Sequence, residues 1–431
     1  MKKQLSRRSF VKGILAGSGL TLFLAYTPGG FRVLGAEEIK KADLRDLTLN
    51  AWIEISPDDL VTIIVSQSEM GQGVYTSIPM IVADELEADW KTVRFRAAPA
   101  ADEYKNPVWG MQSTGGSTSI RHFHDLLRKA GAAAREMLLQ AAAQAWSVPR
   151  PECTAVNGAV RHTGTGRSLS YGKLAAAASK LPLPKDPPLK DPSQFRFIGK
   201  PLPRLDVPEK VNGKARFGID TFIPDMLYAS VARPPVFGAK EKSYDPNAAG
   251  KIKGVEQVVR IGRGVAVCAR SFEAARRGRA ALAVQWDQGS RPDLDNAAIN
   301  KTLLDHLNKT GVVARDDGDA EKALASASKK IDSVYRLPYL AHATMEPMNC
   351  TAWVQKDRCD VWVPTQSQTG AQQTAAKLSG LDPKKVYIHT TYLGGGFGRR
   401  AETDVVEEAV EISKAVTKPV KVIWTREEDI R

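Results

Sequence analysis

The sequence predicts a multidomain α+β protein, and three observations lead to that fold class. The 431 residues exceed one ordinary domain of ~100–200 residues, so two to four cores are expected. Stretches with strand alternation and stretches with helical spacing are interspersed along the chain. Residues 182–208 contain eight prolines, a composition suited to an extended linker between domains. The balance of 43% hydrophobic and 25% charged residues excludes a collagen-like, low-complexity or disordered chain, and four cysteines exclude a disulfide scaffold.

The elements follow in order. Residues 47–67 hold two alternating runs around Pro57-Asp58-Asp59, a strand–turn–strand signal. Ile78, Ile81, Val82 and Leu86 have helical spacing, and 93–97 reads as a strand. Ser117 or Thr118 caps a long Ala-rich helix running to Trp146, and Asn157-Gly158 makes a hairpin turn. This places an α+β or α/β layered domain at 40–180. Beyond the linker, strands are expected at 214–220, 227–232, 255–261, 264–269 and 282–286, with a helix at 271–279. A polar helical stretch follows at 292–330. Strands near 351–353, 359–363, 386–391 and 420–424 then alternate with helices near 369–380 and 402–416.

The formal net charge is +13, and its distribution is uneven. Residues 1–36 carry six basic and no acidic residues, leaving +7 for the other 395. Arg7-Arg8 stands just before a weakly apolar run at 14–26, interrupted by Gly17, Ser18 and Gly19 and short of the ~20 residues that span a bilayer. This pattern is that of a twin-arginine export signal, so the expected location is the periplasm. Ala36 is the candidate cleavage position. Leu34 departs from the small-residue pattern there, so an uncleaved, membrane-associated signal is the other outcome. Cys153, Cys268, Cys350 and Cys359 read as single buried thiols, with a Cys350–Cys359 bridge as the alternative.

Three glycine-rich turns carry the chemistry, each between an expected strand and helix. They are Met70-Gly71-Gln72-Gly73, Thr114-Gly115-Gly116-Ser117, and Gly394-Gly395-Gly396-Phe397-Gly398-Arg399-Arg400. Glycine admits close backbone approach, and the following helix start offers unpaired N–H groups to an anion. Three such turns, one ending in Arg-Arg, suggest a large anionic ligand with several phosphates. None is a Walker A loop, and Arg399 stands where a dinucleotide fingerprint needs its third glycine. His122 and His124 are wrongly spaced for zinc, no C-x-x-C supplies an iron–sulfur cluster, and no G-x-S-x-G marks a hydrolase. The cluster Arg270, Arg276, Arg277 and Arg279 lacks interleaved aromatics and reads as a solvated helix face, so no nucleic-acid partner is expected.

With Val363-Pro364-Thr365-Gln366 and residues 420–429 (VKVIWTREED), these turns resemble the molybdopterin-binding large subunit of the xanthine dehydrogenase/aldehyde oxidase family. Within it the likeness is greatest to the exported isoquinoline 1-oxidoreductase beta-subunit group. The resemblance implies a signal at 1–36, a molybdopterin-binding-like domain at 40–180, the linker at 181–210 and an a/b hammerhead domain at 211–289. A connecting segment at 290–330 would lead to the start of a first molybdopterin-binding domain at 331–431, incomplete here. It further implies that Gln366 sits beside the metal centre as a supporting residue. Gly395, Gly396, Phe397 and Gly398 would lie against that centre. Met70, Gly71, Gln72 and Gly73 would hold pterin and phosphate, with Thr114, Gly115, Gly116 and Ser117 as a companion turn and Arg399 and Arg400 beside the ligand.

The implied cofactor is molybdenum-molybdopterin in its cytosine dinucleotide form, used to hydroxylate an aldehyde or N-heterocycle with water as oxygen source. The implied partners are a small subunit with two [2Fe–2S] clusters, a c-type cytochrome downstream, a small-molecule substrate and the C-terminal half of the large subunit. The family's base is a glutamate in a Gly-Glu motif of that half, which this sequence does not reach. Glu402, Glu407, Glu408 and Glu411 have instead the spacing of a solvated helix face. Two alternatives follow: a non-catalytic, cofactor-free remnant, and an exported binding protein for an anionic ligand.

Overall fold

The computed structural model describes residues 20–27, 30–34 and 48–430; the Arg7-Arg8 pair and Ala36 lie outside them. A first sheet contains β1 (Leu20–Thr27), β2 (Gly30–Leu34), β3 (Thr48–Ile55), β4 (Val61–Val65) and β5 (Val93–Ala97), in the order β2-β1-β3-β4-β5. Much of the apolar run read as part of an export signal is therefore strand, with β1 paired antiparallel to both β2 and β3. β4 and β5 pair in parallel, so a crossover is required, and the helix Val74–Leu86 supplies it. Its Ile78, Ile81, Val82 and Leu86 are buried, as their spacing predicts.

The helix expected from Ser117 or Thr118 to Trp146 is two helices, Thr118–Arg121 and His124–Trp146. At the break, His122 Nδ1 is 2.9 Å from Asn106 Oδ1, and Phe123 turns into the core against Trp52. The longer helix crosses Val74–Leu86 closely, because a Cβ at Gly131 would lie 2.6 Å from the Val82 carbonyl oxygen. A small sheet of β6 (Cys153–Val156), β7 (Ala159–His162) and β8 (Ser168–Ser170) follows, its first turn formed by Asn157 and Gly158 at φ +48° and +77°.

The Pro-rich linker is extended but docked along its length. Buried Asp84 accepts backbone N–H bonds from Arg196, Phe197 and Ile198 and meets Lys190 Nζ at 2.8 Å. Buried Glu85 binds Arg128, Arg135 and the Lys190 amide. Burial opposes the charge on Asp84. The Ile198 amide, Lys190 and the other amides outweigh it, so the carboxyl lies below its ordinary value.

The second half of the chain holds β9 (Leu227–Ala232), β10 (Glu241–Ser243), β11 (Val255–Ile261), β12 (Gly264–Ala269), β13 (Gln285–Trp286), β14 (Asn349–Val354), β15 (Cys359–Val363), β16 (Val386–Thr390) and β17 (Val420–Ile423). Seven of them form one sheet in the order β11-β12-β9-β17-β14-β15-β16. The parallel β9–β17 pair joins stretches that the sequence reading assigned to separate domains. The strand expected at 214–220 is a single bridge at Phe217 followed by a turn at Gly218–Asp220. Gly218 is pressed there, since a Cβ would meet Asn349 Oδ1 and Pro364 at 2.5 Å. The strand expected at 282–286 shortens to β13, because Leu282 is instead buried beside Ala249 and Val267. The stretch 292–330 holds two exposed helices, Asn296–His306 and Ala320–Ser326.

All four cysteines are buried free thiols, so the alternative Cys350–Cys359 bridge is absent. Among the described residues no helix is long and apolar enough to cross a membrane.

Candidate cofactor site

The three glycine turns converge on one side chain. Gln366 follows β15 and is buried. Its Nε2 donates to the Thr114 carbonyl at 3.0 Å, and its Oε1 accepts the Gly398 N–H at 3.0 Å. The backbone repeats the connection: the Thr114 amide donates to the Gln366 carbonyl at 2.8 Å, and the Gln366 amide to the Arg400 carbonyl at 2.9 Å. The first turn arrives through Met70, since a Cβ on Gly396 would lie 2.7 Å from both Met70 Sδ and Gln366 Oε1. Only glycine fits between them. Sequence reading thus named residues that the fold does bring together.

The turns differ in what they can still bind. In the first, buried Glu69 folds its carboxylate over the backbone and accepts the N–H groups of Gly71, Gly73 and Tyr75 at 2.8, 3.0 and 3.1 Å. The Met70 amide is taken by Gln72 Oε1. The anion at this helix start is the protein's own, which corrects the expectation that Met70, Gly71, Gln72 and Gly73 present free donors to a phosphate. Arg204 of the linker neutralises the arrangement, bonding Glu69 at 3.0 Å, Asp206 at 2.6 Å and the Gly71 carbonyl at 2.9 Å. Burial, then Glu69 and Asp206, push the Tyr75 phenol far above its ordinary value and keep it protonated.

The second and third turns keep their donors. The amides of Gly115, Gly116 and Ser117, and of Gly395, Gly396 and Phe397, have no partner among the described residues. A Cβ at Gly115 would meet nothing within 4 Å. Ser117 and Phe397, both without glycine's freedom, are each held at φ +56°. Such backbone persists where its surroundings impose it and aligns successive N–H groups as an anion-binding concavity.

Arg399 and Arg400 play a different part from the one expected. Arg399 pairs with Asp404 at 2.7 Å and lies over Trp424. Arg400 is fully buried, with Nε on the Gly395 carbonyl and Nη2 on the Glu346 carbonyl. Its Nη1 has no partner among the described residues. Burial draws Arg400 below its ordinary value, and the Glu346 carboxylate 3.3 Å away opposes this. Both arginines therefore brace the third turn from behind.

Glu346, which sequence reading did not single out as a site residue, is the second buried carboxylate of the site. It accepts the amides of Gly394 and Ile219 and the side-chain N–H of Asn349. Glu408 corrects the solvated-face expectation: it is buried, pairs with Arg233 at 2.6 Å and accepts the Trp424 indole N–H. Glu69, Glu346 and Glu408 all have their oxygens engaged by amides, side-chain donors or arginines. Among the described residues no cluster of His, Cys, Asp and Glu could hold a metal ion. A group bound here would be held by backbone amides, which fits the glycine turns and their unpaired donors.

Molybdopterin cofactor-binding domains match residues 3–216 and residues 305–431, and so include all three turns and Gln366. The chain belongs to the xanthine dehydrogenase/aldehyde oxidase family. It is 34% identical to isoquinoline 1-oxidoreductase subunit beta of Brevundimonas diminuta, over 99% of this chain and 60% of that protein. It is 32% identical to a membrane-bound aldehyde dehydrogenase (pyrroloquinoline-quinone) of Gluconacetobacter polyoxogenes, over 99% of this chain and 56% of that protein. Among solved structures, quinoline 2-oxidoreductase from Pseudomonas putida 86 aligns with a TM-score of 0.41 and 18% identity, covering 52% of this chain and 34% of that one. The chain spans less than two thirds of the length of these relatives.

Proposed function

We propose that this chain supplies part of the molybdenum-cofactor site of an oxidoreductase large subunit acting on an aldehyde or an N-heterocycle. The convergence of three glycine turns on Gln366 is the observation that carries this reading. When bound, the cofactor, in its cytosine dinucleotide form, would supply oxygen-atom transfer from water and accept the electrons. The residues of this chain hold and orient. The amides of Gly115, Gly116 and Ser117 and of Gly395, Gly396 and Phe397 bind anionic oxygens, and Gln366 fixes the spacing between the two turns. Glu69 and Arg204 keep the Met70 turn rigid without spending its donors on the ligand. The base is expected outside the described residues, since the buried carboxylates of the site are engaged. Electrons leave through a [2Fe–2S] subunit and a c-type cytochrome, and twin-arginine export delivers the assembly to the periplasm.

Co-expression with candidate partner polypeptides in a host that makes the cytosine form of the cofactor tests the reading. Molybdenum and acid-released cytosine nucleotide are expected in equal amounts with the chain; a folded complex holding neither overturns it. A cofactor-free remnant is the second reading, favoured by the same engaged carboxylates, and it expects no molybdenum in any complex. Removal of 1–36 after export would take β1 and β2 from the first sheet and leave β3 as its edge, so the N-terminus of the exported chain distinguishes cleaved from uncleaved export.

A further inference from the structure

One stretch beside the site has the sequence pattern of a strand and has no sheet. Residues 328–343 run between the helix Ala320–Ser326 and β14 without forming helix or strand, with bends at 328–329 and a left-handed Ala343 at φ +46°, and their backbone makes no hydrogen bond to another described residue. Backbone N–H and C=O groups ordinarily find partners. At period two, one face carries Ile331, Ser333, Tyr335, Leu337, Tyr339 and Ala341, while the other mixes charged residues with Val334, Pro338 and Leu340. This is the pattern of a strand with one face on a core. Ile331, Tyr335, Leu337 and Tyr339 are nevertheless 80%, 87%, 87% and 73% exposed.

The stretch lies inside the matched molybdopterin cofactor-binding domain, 305–431, although it does not pack on that domain's core. Its C-terminal end leads into the site. Thr344 Oγ1 donates to the Glu346 carbonyl at 2.8 Å, and Arg426 bonds the Thr344 carbonyl. Met345, next to Glu346, is 88% exposed.

We propose that residues 328–343 add as a β-strand to the sheet edge of a covering polypeptide. That polypeptide is the counterpart of the part of the longer relatives that this chain does not match, and its docking closes one side of the candidate site. The inference rests on the large-subunit reading above. Relatives that match 99% of this chain extend over a further 40% or more of their own length, so they carry polypeptide available for this role. Strand addition would satisfy the open backbone groups and cover the Ile331–Tyr335–Leu337–Tyr339 face in one step. Those side chains would contribute to the roughly 800 Å² per partner that stable association buries.

The test uses the full chain, alone and mixed with the region of the Brevundimonas diminuta isoquinoline 1-oxidoreductase subunit beta outside the matched stretch. Amide hydrogen exchange over 328–343 is expected to be fast in the chain alone and slowed about 100-fold in the mixture, with β17 unchanged. Tyr335→Asp combined with Leu337→Asp should keep β17 protected and weaken capture of that region at least about tenfold. The proposal is overturned by any of three results: protection already present in the chain alone, including through a second copy detected by sedimentation; no protection with the added region; or undiminished capture by the double variant. Molybdenum measured on the same samples separates the two ideas. Protection without molybdenum defeats the cofactor reading alone, and molybdenum without protection defeats strand addition alone.

Discussion

Gln366 Nε2 lies 3.0 Å from the Thr114 carbonyl across 252 residues of sequence, and its Oε1 accepts the Gly398 amide at 3.0 Å. One primary amide therefore sets the distance between two rows of free backbone donors. Gln366→Ala should cut molybdenum retained by the assembled complex at least about tenfold while far-ultraviolet circular dichroism stays unchanged. Gly396→Ala should do the same and cost roughly 1–3 kcal/mol, because its Cβ would collide with Gln366 and Met70. Wild-type molybdenum content in both variants would refute the spacing role.

Glu69 should be worth more to stability than its place on a turn suggests. Glu69→Ala strands three amides and part of Arg204 without an acceptor, at a cost of about 3 kcal/mol or more. Glu69→Gln keeps an acceptor and should cost less. Urea unfolding compared with the exposed control Glu273→Ala checks this; equal losses would contradict it.

The docked linker makes a pH prediction. The Asp84 carboxyl is depressed in the folded chain, so its contribution is present above the ordinary carboxyl value. It is lost as pH falls through the lower folded value. Proteolysis within 185–200 should accelerate over that interval, and Asp84→Asn should show rapid cleavage already at pH 7. A pH-independent cleavage rate in the parent chain would count against the clamp.

Lys421 gives the opposite kind of pH dependence. It is 3% exposed, donates to the Ile219 carbonyl at 2.7 Å, and burial brings it from 10.5 to about 8 against the pull of Asp220 and Glu346. Between those values the unfolded chain holds a proton that the folded chain has released, so stability rises with pH there and the penalty is complete below about 8. Relative to Lys421→Met, the parent should gain up to roughly 3 kcal/mol between pH 7.5 and 10.5. A constant difference across that range would show that Lys421 keeps its proton.

Much of the fold was legible because two periods dominate it. Ile78, Ile81, Val82 and Leu86 announced their helix, and the alternating runs around Pro57 announced β3 and β4. The glycine turns were visible as composition, and Gln366 through family likeness. Their state of occupation was not visible. Nothing in the order Glu69-Met70-Gly71 says that the carboxylate bends back onto the amides that follow it, since that depends on Arg204, 135 residues away. Glu408 was readable in principle: it stands three residues from Val405 and four from Ile412, on the buried face. Its charge argued for solvent until Arg233 was brought alongside by the pairing of β9 with β17.

That parallel pair also limits how the polypeptide can be divided. β17 has β14 on one side and β9 on the other, so excising the 211–289 unit would convert an interior strand into an open margin four residues long. The 211–289 stretch and the cofactor-binding stretch that follows it thus share one sheet. A chimera that swaps one against a foreign counterpart must carry β9 and β17 together.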